Sequence, residues 1–153
     1  LAGAANSGTA AYFAGGIAGS VTATVDKFAF SDDGRTTLST GLSSARYYLA
    51  GAANSGTAAY FAGGDYPKVA TVDKFAFSDD SRTTLGTGLS AARESLAGAA
   101  HSGTAAYFGG GNDGSVTTTV DKFAFSDDGR TTLGTGLAVA TGNLAGAATS
   151  GTR

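Results

Sequence analysis

The chain has 153 residues, and twelve Asp and Glu against ten Lys and Arg leave a formal charge of −2. With no basic run, nothing in it favours a nucleic-acid partner, and with no Cys it excludes disulfides and thiolate chemistry. No apolar stretch approaches the roughly 18 residues of a helical membrane span, so no membrane partner is expected.

Two blocks recur unchanged along the chain. Ser-Gly-Thr-Ala-Ala-Tyr-Phe stands at 7–13, 55–61 and 102–108, and Val-Asp-Lys-Phe-Ala-Phe-Ser-Asp-Asp at 25–33, 72–80 and 120–128. The second block is spaced by 47 and then 48 residues. The chain therefore divides into repeats 1–48, 49–95 and 96–143, with 144–153 opening a fourth. Periods of about 20–50 residues signal solenoids, propellers or arrays. The absence of Met and the stop inside a fourth repeat are expected of a segment of a longer array.

The middle repeat serves as a template. Leu49 to Ala53 is a run of almost entirely small residues, suited to a strand pressed closely against its neighbours. Asn54-Ser55-Gly56 is a turn signal. Thr57 to Ala62 predicts a second strand carrying Tyr60 and Phe61, closed by Gly63-Gly64. A loop from Asp65 to Lys68 holds the single proline, Pro67. Val69 to Ser78 predicts the longest strand, with Phe75 and Phe77 on one face by the period of two. Asp79-Asp80-Ser81 predicts a hairpin turn and Arg82 to Leu85 a fourth strand. Nothing sustains a helical period. The expected fold is all-β, with four antiparallel strands per repeat, the size of one propeller blade.

The double glycine after the second strand (Gly15-Gly16, Gly63-Gly64, Gly110-Gly111), the aromatic third strand, and an Arg before the next unit (Arg46, Arg93) make each repeat resemble a kelch repeat. Similar Gly-, Ala- and Thr-rich arrays occur in large bacterial and phage proteins. The kelch Trp is missing throughout, and Thr141 replaces the Arg in the third repeat. The resemblance implies a β-propeller of three kelch-like blades per chain, mostly a binding module in that family. An extracellular, cell-surface or virion setting would suit such a scaffold.

Candidate chemistry is sparse. Ser-Asp-Asp-Gly-Arg-Thr-Thr at 31–37, with its cousins at 78–84 and 126–132, resembles the Asp-box hairpin of sialidase-type propellers as a turn, without a sialidase's catalytic groups. Two carboxylates beside an Arg fall short of the six to eight oxygens a calcium ion takes, so these Asp are expected to cap backbone amides. His101 is the sole histidine, and with no Cys neither a zinc site nor a Ser/His pair can be assembled. No metal or cofactor is expected, and no enzymatic activity. Asp26, Asp73 and Asp121 are expected to fix the edge between neighbouring blades through backbone hydrogen bonds. The Thr-x-Thr patterns at 22–24 and 117–119 do not stack into a flat ladder at this period.

Differences among repeats point to a face. In an up-and-down blade the turns after strands one and three share one end, and those after strands two and four the other. The first set is nearly invariant. The second varies, at Ile17-Ala18-Gly19-Ser20, Asp65-Tyr66-Pro67-Lys68 and Asn112-Asp113-Gly114-Ser115, and at Arg46-Tyr47-Tyr48, Arg93-Glu94-Ser95 and Thr141-Gly142-Asn143. Varied loops on a repeated frame are where recognition usually sits. The candidate binding residues are Arg46, Tyr47, Tyr48, Asp65, Tyr66, Lys68, Arg93, Glu94, Asn112 and Asp113. A protein or a glycan is the expected ligand, with the Tyr rings stacking on sugars in the lectin-like alternative. Propellers close with about four to eight blades, so a second copy is expected to complete a six-bladed ring as a homodimer. In that ring 144–148 and 1–5 would compete for one inner-strand slot.

Overall fold

The computed structural model describes residues 1–144, 146, 148 and 149. Three four-stranded antiparallel sheets follow one another, one per repeat, with no helix among the described residues. Sheet 1 contains β1 (Ala2–Asn6), β2 (Ala10–Ala14), β5 (Val25–Ala29) and β6 (Arg35–Thr37), and a small ribbon of β3 (Ile17–Ala18) and β4 (Ser20–Val21) interrupts it. Sheet 2 contains β7 (Ala50–Asn54), β8 (Ala58–Ala62), β9 (Val72–Ala76) and β10 (Arg82–Thr84). Sheet 3 contains β11 (Ala97–His101), β12 (Ala105–Gly109), β13 (Val120–Ala124) and β14 (Arg130–Thr132), and β15 (Ala148–Thr149) lies parallel along β11. Within each repeat the four main strands pair antiparallel in chain order, and only β15 departs from it by joining β11. This repeated layout fits a propeller-like arrangement of blades.

The third strand is shorter than expected: Val72–Ala76 rather than Val69 to Ser78. Its end is set by the hairpin, where Asp80 adopts a positive φ of 58° and the Ala76 amide donates to the Ser81 carbonyl at 3.0 Å. The first strand runs one residue later than expected, and the second and fourth lose one residue each.

Side-chain alternation makes both faces of each sheet apolar. Ala58, Tyr60, Ala62 and Val72 point one way from sheet 2 and pack with Phe108, Phe123 and Ala106 of sheet 3. Phe61, Phe75 and Ala59 point the other way and pack with Ala10, Tyr12, Ala14 and Val25 of sheet 1. Consecutive sheets therefore bury successive layers between them, and sheet 2 is covered on both sides. Apolar burial at about 25 cal/mol per Å² is the main force holding such layers together.

The first strands of successive sheets run side by side. Gly51 pairs with Phe61 across β7 and β8. A Cβ there would sit 2.2 Å from the Gly3 carbonyl oxygen, and one on Gly98 the same distance from that of Gly51. No side chain fits between these backbones, which is why the small-residue segment reads Ala-Gly-Ala-Ala. β15 continues the series, with Ala100 beside Ala148 and His101 beside Thr149, one repeat length apart. Ala145 and Ala147, from the segment expected to compete with β1, lie outside the described residues.

Candidate functional site

The invariant end of the sheets is spent on holding neighbours together. The Asn6 side-chain oxygen accepts the Gly56 amide at 3.0 Å, and that of Asn54 accepts the Gly103 amide at 3.2 Å. In the Asp-Asp turns the first carboxylate caps a local amide, as expected: Asp32 accepts from Gly34, Asp79 from Ser81 and Asp127 from Gly129, at 2.8–3.0 Å. The second carboxylate instead crosses to the preceding sheet. Asp80 accepts the Tyr12 hydroxyl at 2.6 Å and pairs with Lys27 at 2.9 Å, while Asp128 accepts the Tyr60 hydroxyl and pairs with Lys74, both at 2.7 Å. This role of the second Asp differs from the simple turn cap expected of it. Its signal was the invariance of Tyr, Lys and both Asp in every repeat.

A buried ion pair closes each junction from the other end. Asp73 and Asp121 are fully buried, and so are Arg46 and Arg93. Arg46 donates to Asp73 at 2.9 Å, and Arg93 pairs with Asp121 at 3.0 Å. Each Arg also donates to the carbonyl of a strand in the following sheet, Phe61 and Phe108 respectively. Of the three Asp expected to take backbone bonds, Asp26 meets only the side chains of Arg35 and Thr37. Asp73 and Asp121 do take them, from the amides of Ser43 and Ser90 at 2.9 Å, joined by the hydroxyls of the same serines. Thr84 and Thr132 satisfy the second carboxylate oxygen. Burial pushes the Asp73 and Asp121 carboxyls up, but the hydrogen bonds from Thr and Ser and the adjacent Arg charge outweigh it. Both are held below the usual carboxylate range.

Arg46 and Arg93, assigned by sequence to the varied recognition face, are therefore inside the junctions and unavailable to an outside ligand. The other candidates do come together. Tyr47 exchanges both backbone hydrogen bonds with Asp65, and its hydroxyl reaches the Asp65 carboxylate at 3.3 Å. Glu94 and Asn112 exchange theirs in the same way one repeat on. Lys68, from the loop that begins at Asp65, reaches both members of the second pair, 3.4 Å from Glu94 and 3.4 Å from the Asn112 side chain. The Ser95 amide donates to the Tyr48 carbonyl at 2.8 Å, tying the two inter-sheet linkers together. Asp113 is exposed at the far edge of this surface.

The double glycines make this approach of linker to strand end possible. Gly64 has a φ of 109°, and a Cβ on it would stand 2.8 Å from the Tyr47 carbonyl oxygen. Two rings project furthest from the resulting face: Tyr66 is 64% exposed and Tyr48 54%. Tyr48 rests edge-on against Tyr47 at 4.7 Å between ring centroids. The Asp65 carboxylate accepts the Tyr66 amide at 2.8 Å, which steadies the projecting loop.

Chemically the face offers phenol rings, amide groups and carboxylates, with its one ammonium already paired. His101 is on the opposite, invariant end, hydrogen-bonded to Thr104 at 2.8 Å. Among the described residues no three His, Asp or Glu side chains gather as a metal would require, and no helix is long and apolar enough to cross a membrane. Compared with models of known protein families and with curated proteins, the chain finds a match in neither.

Proposed function

We propose that the chain is a non-catalytic repeat scaffold, a kelch-like β-propeller segment that displays a varied recognition face and assembles with a second copy of itself. The observation that carries this reading is the division of labour between the two ends. Invariant residues are consumed in the junctions, whereas the varied loops are knitted across repeats into one surface by Tyr47–Asp65, Lys68–Glu94 and Glu94–Asn112. Loops stiffened in this way lose little freedom on binding, which favours recognition of an extended partner. Two arcs of three blades joined head to tail make a six-bladed ring, within the usual range for propellers. Sedimentation equilibrium tests the assembly: a dimer is expected at micromolar concentration, and a monomer or trimer overturns it.

A glycan-binding role is the second reading, favoured by Tyr48 and Tyr66 projecting from a polar surface. Aromatic faces flanked by fixed carboxylates and amides suit sugar rings, which have an apolar side and a polar rim. A glycan array is the direct test. Specific binding that disappears in Tyr47→Ala or Tyr66→Ala supports this role, and an array with no specific signal removes it.

A further inference from the structure

Sheet 1 turns toward solvent the very face that sheets 2 and 3 bury. Phe13 is 42% exposed, whereas its equivalents Phe61 and Phe108 are fully covered. Phe30 is 49% exposed, whereas Phe77 packs on the Tyr12 ring at 5.1 Å and Phe125 on the Tyr60 ring at 5.3 Å. Asp33 is exposed, whereas Asp80 and Asp128 each hold a Tyr and a Lys of the preceding sheet. Sheet 3 presents the reciprocal groups, Tyr107 and Lys122, at the places of Tyr12 with Lys27 and Tyr60 with Lys74.

We infer that these two faces are the halves of one seam, and that the occupant of each is a second copy of this chain. This rests on the homo-oligomer reading above and specifies its contacts. Tyr107 and Lys122 of one copy engage Asp33 of the other, with Phe30 against the Tyr107 ring, as at both junctions inside the chain. The charges are complementary, and the apolar layer is continuous with the two already formed. At the inner edge β15 holds the place on β11 that the partner's β1 would take. The segments carrying them both read Ala-Gly-Ala-Ala, and one yields when the seam closes.

The seam differs from the internal junctions in one respect. Ser43 with Arg46 and Ser90 with Arg93 clasp the Asp of the following sheet. The third repeat carries Ala138 and Thr141 instead. At the seam Asp26 therefore keeps only the Arg35 and Thr37 contacts of its own sheet. The seam is the weak joint of the assembly, reversible where the internal junctions are permanent.

Sedimentation of charge variants tests this, with circular dichroism checking that each is folded. Asp33→Lys and Lys122→Asp should each weaken self-association about tenfold or more, by setting like charges opposite each other. An equimolar mixture of the two should regain it, because every seam in the mixed dimer then pairs Lys with Asp. The double variant Ala138→Ser/Thr141→Arg should tighten association by about tenfold. If wild type dimerises but ignores both charge reversals, the seam is wrong while the homo-oligomer reading stands. If wild type stays monomeric throughout, both fall.

Discussion

Asp26 and Asp73 sit in identical pentapeptides, Val-Asp-Lys-Phe-Ala, at the same position of the third strand of their sheets. Asp73 is buried completely between a guanidinium, a serine and a threonine, while Asp26 keeps 31% of its side chain in water and meets only Arg35 and Thr37. Local sequence does not account for the difference. The preceding sheet does, because sheet 1 delivers Ser43 and Arg46 to Asp73, whereas no other described sheet brings a Ser or an Arg to Asp26. In a repeat array a residue's energetic role is thus set by its neighbours one period away.

The sharpest way to test that contrast is to make one substitution at both members of a pair. Phe61→Ala removes a ring enclosed by two sheets and should cost about 3–5 kcal/mol. Phe13→Ala, at the same position on the open face, should cost under about 1 kcal/mol. Urea denaturation of the two variants against wild type reads this difference, and equal costs would break the comparison.

The ion pairs should divide similarly. Arg46→Ala strands a buried carboxylate and should lose about 3–5 kcal/mol, whereas Arg35→Ala gives up an exposed pair worth about 0–1 kcal/mol. Denaturant midpoints at fixed ionic strength decide the matter.

Backbone proximity supplies a third pair. Gly51→Ala drives a methyl into the Gly3 carbonyl and should destabilise by about 3 kcal/mol or more. A Cβ on Gly3 meets only the Phe13 ring edge at 3.3 Å, so Gly3→Ala should cost about 1 kcal/mol or less. Thermal melts of both proteins are sufficient.

The mildest effect is on acid stability. Asp73 and Asp121 have folded-state pKa values below their unfolded ones. Their contribution is complete above the unfolded value near about pH 4, and it is lost as pH falls through the lowered folded value. Urea midpoints measured from pH 5 downward should therefore drop below about pH 4. The drop should be shallower in Asp73→Asn, even though that variant is weaker at neutral pH.

Much of the fold could be read in advance because the repeat supplies its own alignment. The Asn-Ser-Gly and Asp-Asp turns and the Gly-Gly pairs marked the strand ends, and four strands per repeat followed from them. The partners of single polar groups were another matter. Tyr12 finds Asp80 68 residues away, and Arg46 finds Asp73 27 residues away. Neither separation is a multiple of the period, so periodicity alone cannot assign them. Arg46 and Arg93 read as loop residues in the sequence because they adjoin Tyr47 and Glu94, which do face outward. A single backbone step separates the buried position from the exposed one. The link between the varied loops was legible only as shared variability, since the Lys68 bridge to Glu94 depends on the double glycine drawing each linker against its strand end.

The first two repeats each carry both halves of a clasp: an Asp on the third strand to be grasped, and a Ser with an Arg behind the fourth strand to grasp the next. Unequal recombination between such gene segments can add or delete a whole 47- or 48-residue unit, and every remaining hand still finds one to hold. Array length can then drift across generations without passing through a misfolded intermediate, while the loops diversify unit by unit. Ala138 and Thr141 in the third repeat leave it with the half to be grasped and without the half that grasps.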